Sequence, residues 1–144
     1  MENKTKSSPS LVEKIIGAEN INHSSVIDVA KAGLPFRAII TLEKALKVSR
    51  REISQALQIE LSSMNRRESS GKLRAEESDR VLRLANIFDQ ATELMEGNGD
   101  SAAQWMVTPR EILDGEKPLM HSKTETGAKE VEDLINRIRY GVFS

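Results

Sequence analysis

Between Leu61 and Arg67 the chain carries Ser62, Ser63, Asn65 and Arg66, a run of polar side chains able to read base edges. Asn can bind adenine, and Arg guanine, through two hydrogen bonds each. Cations frame this run: Arg50 and Arg51 precede it, Arg67 ends it, and Lys72 and Arg74 follow. Such charges suit phosphate oxygens and would position the chain without reading sequence. Other chemistry is poorly represented. There is no cysteine, which excludes disulfides, thiolate nucleophiles and Cys-type zinc sites. His23 and His121 lie far apart and lack metal-ligand spacing. No Gly-rich phosphate loop or nucleophile elbow occurs. The many carboxylates fall on exposed helix faces, where salt-bridge or solvating roles are the default. The expectation is a protein that is not an enzyme and needs no metal or cofactor, with His121 a surface or interface residue.

Charge is unevenly divided. Residues 1–43 carry five basic and five acidic groups; residues 44–74 carry eight and three, net +5; residues 75–144 carry eight and fourteen, net −6. A basic middle and an acidic end suggest two different partners, the first a polyanion. With 144 residues, 38% hydrophobic and only 3% aromatic, aliphatic side chains must form the core, and a second subunit often supports cores of that kind. No apolar run approaches a membrane span, and the N-terminus MENKTKSSPS lacks the apolar stretch of a signal peptide. A cytoplasmic protein with a disordered lead-in and no membrane partner is expected.

These side chains must be positioned by helices, since no strand-period alternation appears; the predicted fold class is all-α. Leu11, Val12, Ile15 and Ile16 mark a short helix ended by Gly17, and Ser24 or Ser25 can cap a second over 26–32. Pro35 suits the first residue of a third, running to about Lys47. Ser49-Arg50-Arg51-Glu52 reads as a capping box. It opens a helix with Ile53, Ala56 and Leu57 on one face; the turn 58–60 then leads into a helix over 61–67. Two short helices around a tight turn have the layout of a helix-turn-helix, whose second helix enters the major groove. Gln58 occupies the turn, where glycine often relieves the bend. A longer helix over about 75–96 presents Val81, Leu84, Ala85, Phe88, Ala91 and Met95 as one stripe. Gly97-Asn98-Gly99 then separates two halves. A turn or two follows over 102–106. Thr108-Pro109-Arg110-Glu111 looks like a cap, first-turn proline and capping-box glutamate. Pro118-Leu119 begins a loop through Ser122, and Thr124 caps a last helix over about 125–140 with Val131, Leu134, Ile135 and Ile138 inward.

Trp105, Thr108-Pro109, Gly115, Pro118-Leu119, Thr124-Glu125, Gly127, Val131, Leu134-Ile135, Arg137-Ile138 and Tyr140-Gly141-Val142 resemble, in that order, the toxin-binding domain of the Xre/MbcA/ParS antitoxin family. The middle, with SRREISQALQI, Arg66-Arg67 and EESDRVLRL, is similar to the Xre-type helix-turn-helix that usually precedes that domain. Together the resemblance spans roughly residues 34–144. It implies an antitoxin of a type II pair that binds operator DNA to repress its own operon. It further implies a cognate RES-type toxin that consumes or transfers from NAD, silenced by occlusion of its active site, and at least a homodimer formed through the helical middle.

The resulting division is 1–33 as lead-in and short helices, 34–97 as DNA-binding and dimerisation region, and 98–144 as toxin-binding domain. The DNA set is Arg50, Arg51, Ser62, Ser63, Asn65, Arg66, Arg67, Lys72 and Arg74. The toxin set is Trp105, Arg137, Arg139, Tyr140, Val142, Phe143 and Ser144. Trp105 reads first as a core anchor under the Pro118-Leu119 segment and second as a contact. Arg137 and Arg139 can also serve the helix dipole. The tail 142–144 ends in a carboxylate beside Phe143, which could stand where a phosphate of the dinucleotide sits. Two other readings remain: a stand-alone helix-turn-helix regulator with a C-terminal dimerisation or ligand-sensing region, and an adaptor that has lost DNA binding.

Overall fold

The computed structural model describes residues 9–17 and 22–141, which form helices joined by short turns. In chain order they are α1 (Leu11–Ile16), α2 (His23–Ala32), α3 (Arg37–Leu46), α4 (Arg50–Leu57), α5 (Leu61–Ser70), α6 (Ala75–Leu94), α7 (Gly99–Met106), a 3-10 turn (Glu111–Leu113), α8 (Pro118–His121) and α9 (Glu125–Tyr140). Helix α6 is the hub on which α1, α2, α3, α4, α7 and α9 pack. It can be, because its buried stripe runs Ser78, Val81, Leu84, Ala85, Ile87, Phe88 and Ala91 along nearly its whole length. One contiguous core results, reaching from Leu11 and Ile15 through Ile53, Leu57 and Met64 to Trp105, Leu119, Val131 and Ile135. Among the described residues no helix is long and apolar enough to cross a membrane.

The all-α expectation holds, and several boundaries move. Asn22, not Ser24 or Ser25, caps α2, accepting from the amide of Ser25. Pro35 stays outside α3; it pairs with Lys72 across a single bridge, while Leu73 N–H donates to Leu34 C=O at 2.8 Å. That bridge ties the entry of α3 to the link between α5 and α6. Gly33 is obligatory there: its φ is +94°, and a Cβ would lie 2.4 Å from the Leu73 carbonyl oxygen. Helix α5 continues past Arg67 to Ser70 and stops at Gly71. Thr108 does not cap the 3-10 turn; its hydroxyl points back along the chain to donate to Gln104 C=O at 2.6 Å, and Arg110 occupies the position before the turn. The expected loop at Pro118 is the short helix α8, with proline in its first turn, where its missing N–H costs nothing. Thr124 caps α9 as expected, accepting from Gly127 N–H at 3.0 Å.

The N-terminal helix is held by a distant carboxylate. Asp89 of α6 accepts from the amides of Leu11 at 2.7 Å and Val12 at 3.1 Å, and Ser10 and Glu13 form a reciprocal capping box. The four N-terminal amides of Ser10, Leu11, Val12 and Glu13 are thereby satisfied. Burial pushes the Asp89 carboxyl up, and those amide bonds only partly offset it.

Candidate functional site

The short helices α4 and α5 form the expected helix-turn-helix layout. Ser49 caps α4, accepting from Glu52 N–H at 3.1 Å. The Glu52 side chain pairs instead with Lys117 Nζ at 3.3 Å. The turn is built without glycine. Gln58 takes the left-handed conformation itself, at φ 55° and ψ 43°, which a side chain tolerates at some cost. Ile59 is buried beneath it, and the buried Ser54 hydroxyl donates to the Ile59 carbonyl at 2.5 Å. From α6, Arg80 Nη1 donates to the carbonyls of Leu57 and Gln58, each at 3.3 Å.

The predicted DNA set divides on this frame. Arg51, Ser62, Asn65, Arg66, Lys72 and Arg74 are exposed. Ser63 is half-buried and accepts from Arg66 Nη2 at 2.9 Å. Among the described residues, Arg51, Arg66, Lys72 and Arg74 make no ion pair. Their charge is open to a polyanion.

Two arginines of the set are otherwise engaged. Arg67 is only 9% exposed and pairs with Glu77 of α6, Nε to Oε1 2.8 Å. Glu77 Oε1 also accepts the Arg74 amide at 2.9 Å. Burial alone would raise the Glu77 pKa, but the Arg67 and Arg74 hydrogen bonds and charges hold it below the usual carboxylate range. The Glu77 hydrogen bond likewise holds the Arg67 guanidinium protonated more firmly than usual. Arg67 is thus an internal brace between α5 and α6, not the phosphate contact expected of it. Arg50 is paired with Glu43, reaches Glu68 at 3.4 Å and stacks on Phe36 with its guanidinium carbon 5.2 Å from the ring centroid. Its charge is met within the fold by Glu43 and Glu68, so it is less open to a phosphate than that of Arg51. Spacing alone could not separate Arg66 from Arg67; the helical register relative to buried Met64 turns one outward and the other onto α6.

In the C-terminal part, Trp105 is 5% exposed and belongs to the core, so its ring is not a surface contact. Arg110 covers it, 4.8 Å from ring centroid to guanidinium carbon, and donates to the Trp105 carbonyl at 3.2 Å. Arg137 is exposed, Tyr140 is exposed, and Arg139 pairs with Glu93 at 2.8 Å while stacking on Tyr140. Val142, Phe143 and Ser144 lie outside the described residues. Sequence reading missed Ile112, which is 61% exposed beside a shallow cleft walled by Leu113, His121, Glu130, Leu134 and Arg137. Ile138, expected inward, is part-exposed one turn beyond Leu134. An isoleucine in the polar run Arg110–Glu116 was the available signal. His121 bridges two carboxylates, Nδ1 to Glu116 Oε1 at 2.7 Å and Nε2 to Glu130 Oε1 at 2.6 Å. Both nitrogens must donate for both bonds to ionised carboxylates to form, so this arrangement favours the imidazolium. The Glu130 bond is the main cause that raises its pKa, against a smaller lowering by burial.

Among the described residues no group of three or more His, Asp or Glu is arranged to hold a metal ion. The architecture offers binding surfaces: an open cationic edge along α5 and its flanks, and a partly apolar face where the 3-10 turn meets α9.

Comparison with known proteins bears on both. Residues 25–86 match the antitoxin Xre-like helix-turn-helix domain, and residues 90–141 match the antitoxin Xre/MbcA/ParS C-terminal toxin-binding domain. The chain is 35% identical to an Antitoxin Xre of Yersinia enterocolitica, over 90% of this chain and 88% of that one. It is 34% identical to an Antitoxin Xre of Photorhabdus laumondii, over 81% of this chain and 79% of that one. A protein of Sphingobium named Prs ADP-ribosylating antitoxin is 25% identical over 82% of this chain and 80% of its own length.

Proposed function

The chain belongs to the Xre antitoxin family, and on that premise we propose that it silences a cognate RES-type toxin by covering the toxin's active site and binds operator DNA to repress its own operon. DNA engagement falls to residues 34–97 and toxin engagement to residues 98–144. Helix α5 is the recognition helix, with Ser62, Ser63, Asn65 and Arg66 facing base edges. Arg51, Lys72 and Arg74 position it on phosphates. The observation that carries the DNA half is that these cations have no ion-pair partner among the described residues, whereas Arg50 and Arg67 do.

The toxin half uses Ile112, Arg137, Ile138, Arg139 and Tyr140, and residues 142–144 reach the NAD pocket. A toxin that handles NAD is supported by the name of the Sphingobium relative, since ADP-ribosyl groups derive from NAD. The exposed apolar side chains Ile112 and Tyr140 supply anchors of the kind that dominate protein interfaces. The protein acts as at least a dimer, and exposed Ile27 and Ile40 offer apolar surface for that contact.

Co-expression with the neighbouring toxin gene tests the reading. Growth should be rescued by the full chain and a stable complex should co-purify. A chain lacking residues 142–144 should neutralise weakly while retaining operator binding in a gel shift. Full neutralisation by the truncated chain would remove the tail from the mechanism, and absence of any complex would remove the function.

A further inference from the structure

We propose that Arg80, outside the helix-turn-helix itself, is a positioning residue for DNA reading: it locks the glycine-free turn that sets α5 against α4. This rests on the reading of α5 as the recognition helix. A helix ends with carbonyls that lack intrahelical donors, and the end carries partial negative charge. At the end of α4 two such carbonyls, Leu57 and Gln58, are met by one guanidinium nitrogen of Arg80 at 3.3 Å each. The same residue Gln58 stands in the left-handed region, where a side chain is less stable than glycine. Below the turn, Ser54 donates to the next carbonyl, that of Ile59, and Ile59 N–H donates to Ser54 C=O at 3.0 Å. Ser54 thus holds the turn from inside and Arg80 from outside.

Arg80 has no ion-pair partner among the described residues, so its charge acts on these carbonyls. Next in chain comes Glu60, which opens α5 without a side-chain cap bond. The first turn of α5 therefore depends on the turn rather than on a cap of its own, while Arg67 and Glu77 brace its far end to α6. Removing Arg80 frees two carbonyls and a strained Gln58 together, and the first turn of α5, which carries Ser62 and Ser63, then loses its set angle on the duplex. Glycine at 58 removes the strain, so it should make Arg80 less necessary.

The test measures operator and non-specific DNA affinity against salt concentration, with thermal melting and toxin neutralisation on every variant. Arg80→Met should weaken operator binding roughly tenfold, the size of one lost charge-assisted hydrogen bond. Non-specific affinity and the slope of log K against log salt should stay unchanged, because no phosphate contact is lost. Arg80→Lys should restore part of the loss, and Gln58→Gly in the Arg80→Met background most of it. A loss that comes with a slope smaller by about 0.9, and that Gln58→Gly does not relieve, would make Arg80 a phosphate contact and overturn the proposal. Unchanged affinity in Arg80→Met would overturn it as well. If Arg80→Met does not fold, Gln58→Gly in the Arg80→Lys background carries the comparison, and failure to recover what Lys loses refutes it. Wild-type protein that ignores the operator would instead remove the DNA-binding reading itself.

Discussion

Arg67 and Arg66 are neighbours in sequence with opposite expected fates, and Arg67→Ala tests the difference. Arg67 is 9% exposed and its partner Glu77 is 6% exposed. Removing the guanidinium leaves a buried carboxylate that keeps the Arg74 amide as its hydrogen-bond donor. Breaking one side of a buried pair costs about 3–5 kcal/mol. For a chain of this length that corresponds to a fall in Tm on the order of 10 °C. Urea unfolding followed by helical circular dichroism gives the free energy directly. In the double variant Arg67→Met, Glu77→Leu the loss should be much smaller, because no charge is left buried. The sign with pH is also fixed. Glu77 has a folded pKa below its unfolded one, so its contribution is present above the ordinary glutamate range. It is lost as pH falls through the lower folded value, and Arg67→Ala should flatten that part of the acid-unfolding curve. A loss under about 1 kcal/mol, joined to operator binding whose salt slope drops by about 0.9, would show that Arg67 faces phosphate after all.

Gly127→Ala should destabilise by about 1–3 kcal/mol or more in thermal unfolding, because its Cβ would sit 1.8 Å from the His121 carbonyl oxygen; ordinary helix propensity predicts a gain there instead. His121 has a folded pKa above its ordinary value, so its clamp on Glu116 and Glu130 is complete below that ordinary value and fades as pH rises through the folded one. Wild type should accordingly lose more stability than His121→Gln as pH rises from below the ordinary histidine range through the raised folded value, read by denaturant midpoints. Arg51→Ala combined with Lys72→Ala should leave melting within about 0.5 kcal/mol of wild type while lowering the salt slope of operator binding by up to about 1.8. An unchanged slope would place the DNA elsewhere.

The sequence made much of this legible because helix punctuation is local. Ser49, Thr124, Gly71 and Gly141 act within a few residues of themselves, and their spacing marks helix ends whatever the tertiary fold. What stayed hidden depends on partners far along the chain. Asp89 caps α1 from more than seventy residues away, and Arg80 caps α4 from more than twenty, so neither leaves a local trace. Thr108-Pro109 misled for the opposite reason: a good local cap was overruled when the threonine hydroxyl closed on Gln104 of α7. Arg67 misled because charge composition does not tell an open cation from one buried against a carboxylate.

The two proposed surfaces share a single core, and this determines which variants can separate them. Links between their regions include Lys117 to Glu52 at 3.3 Å, Arg83 to the Lys123 carbonyl at 3.4 Å and Gln90 to Glu132 at 2.8 Å. Partly exposed polar contacts of this kind contribute little each, so they are poor carriers of coupling. The packed stripe of α6 is different. Val81 and Ala85 are fully buried in the same cluster that holds Ile53 and Leu57 of α4 and Val131 and Ile135 of α9. A cavity at Val81 has no surface on which to act selectively, so both activities should fall together with stability. Substitutions at Ile112 or Arg66 disturb no core packing and should each remove one activity alone. The physical separation of function therefore lies in the exposed side chains, and α6 is the rigid support common to both.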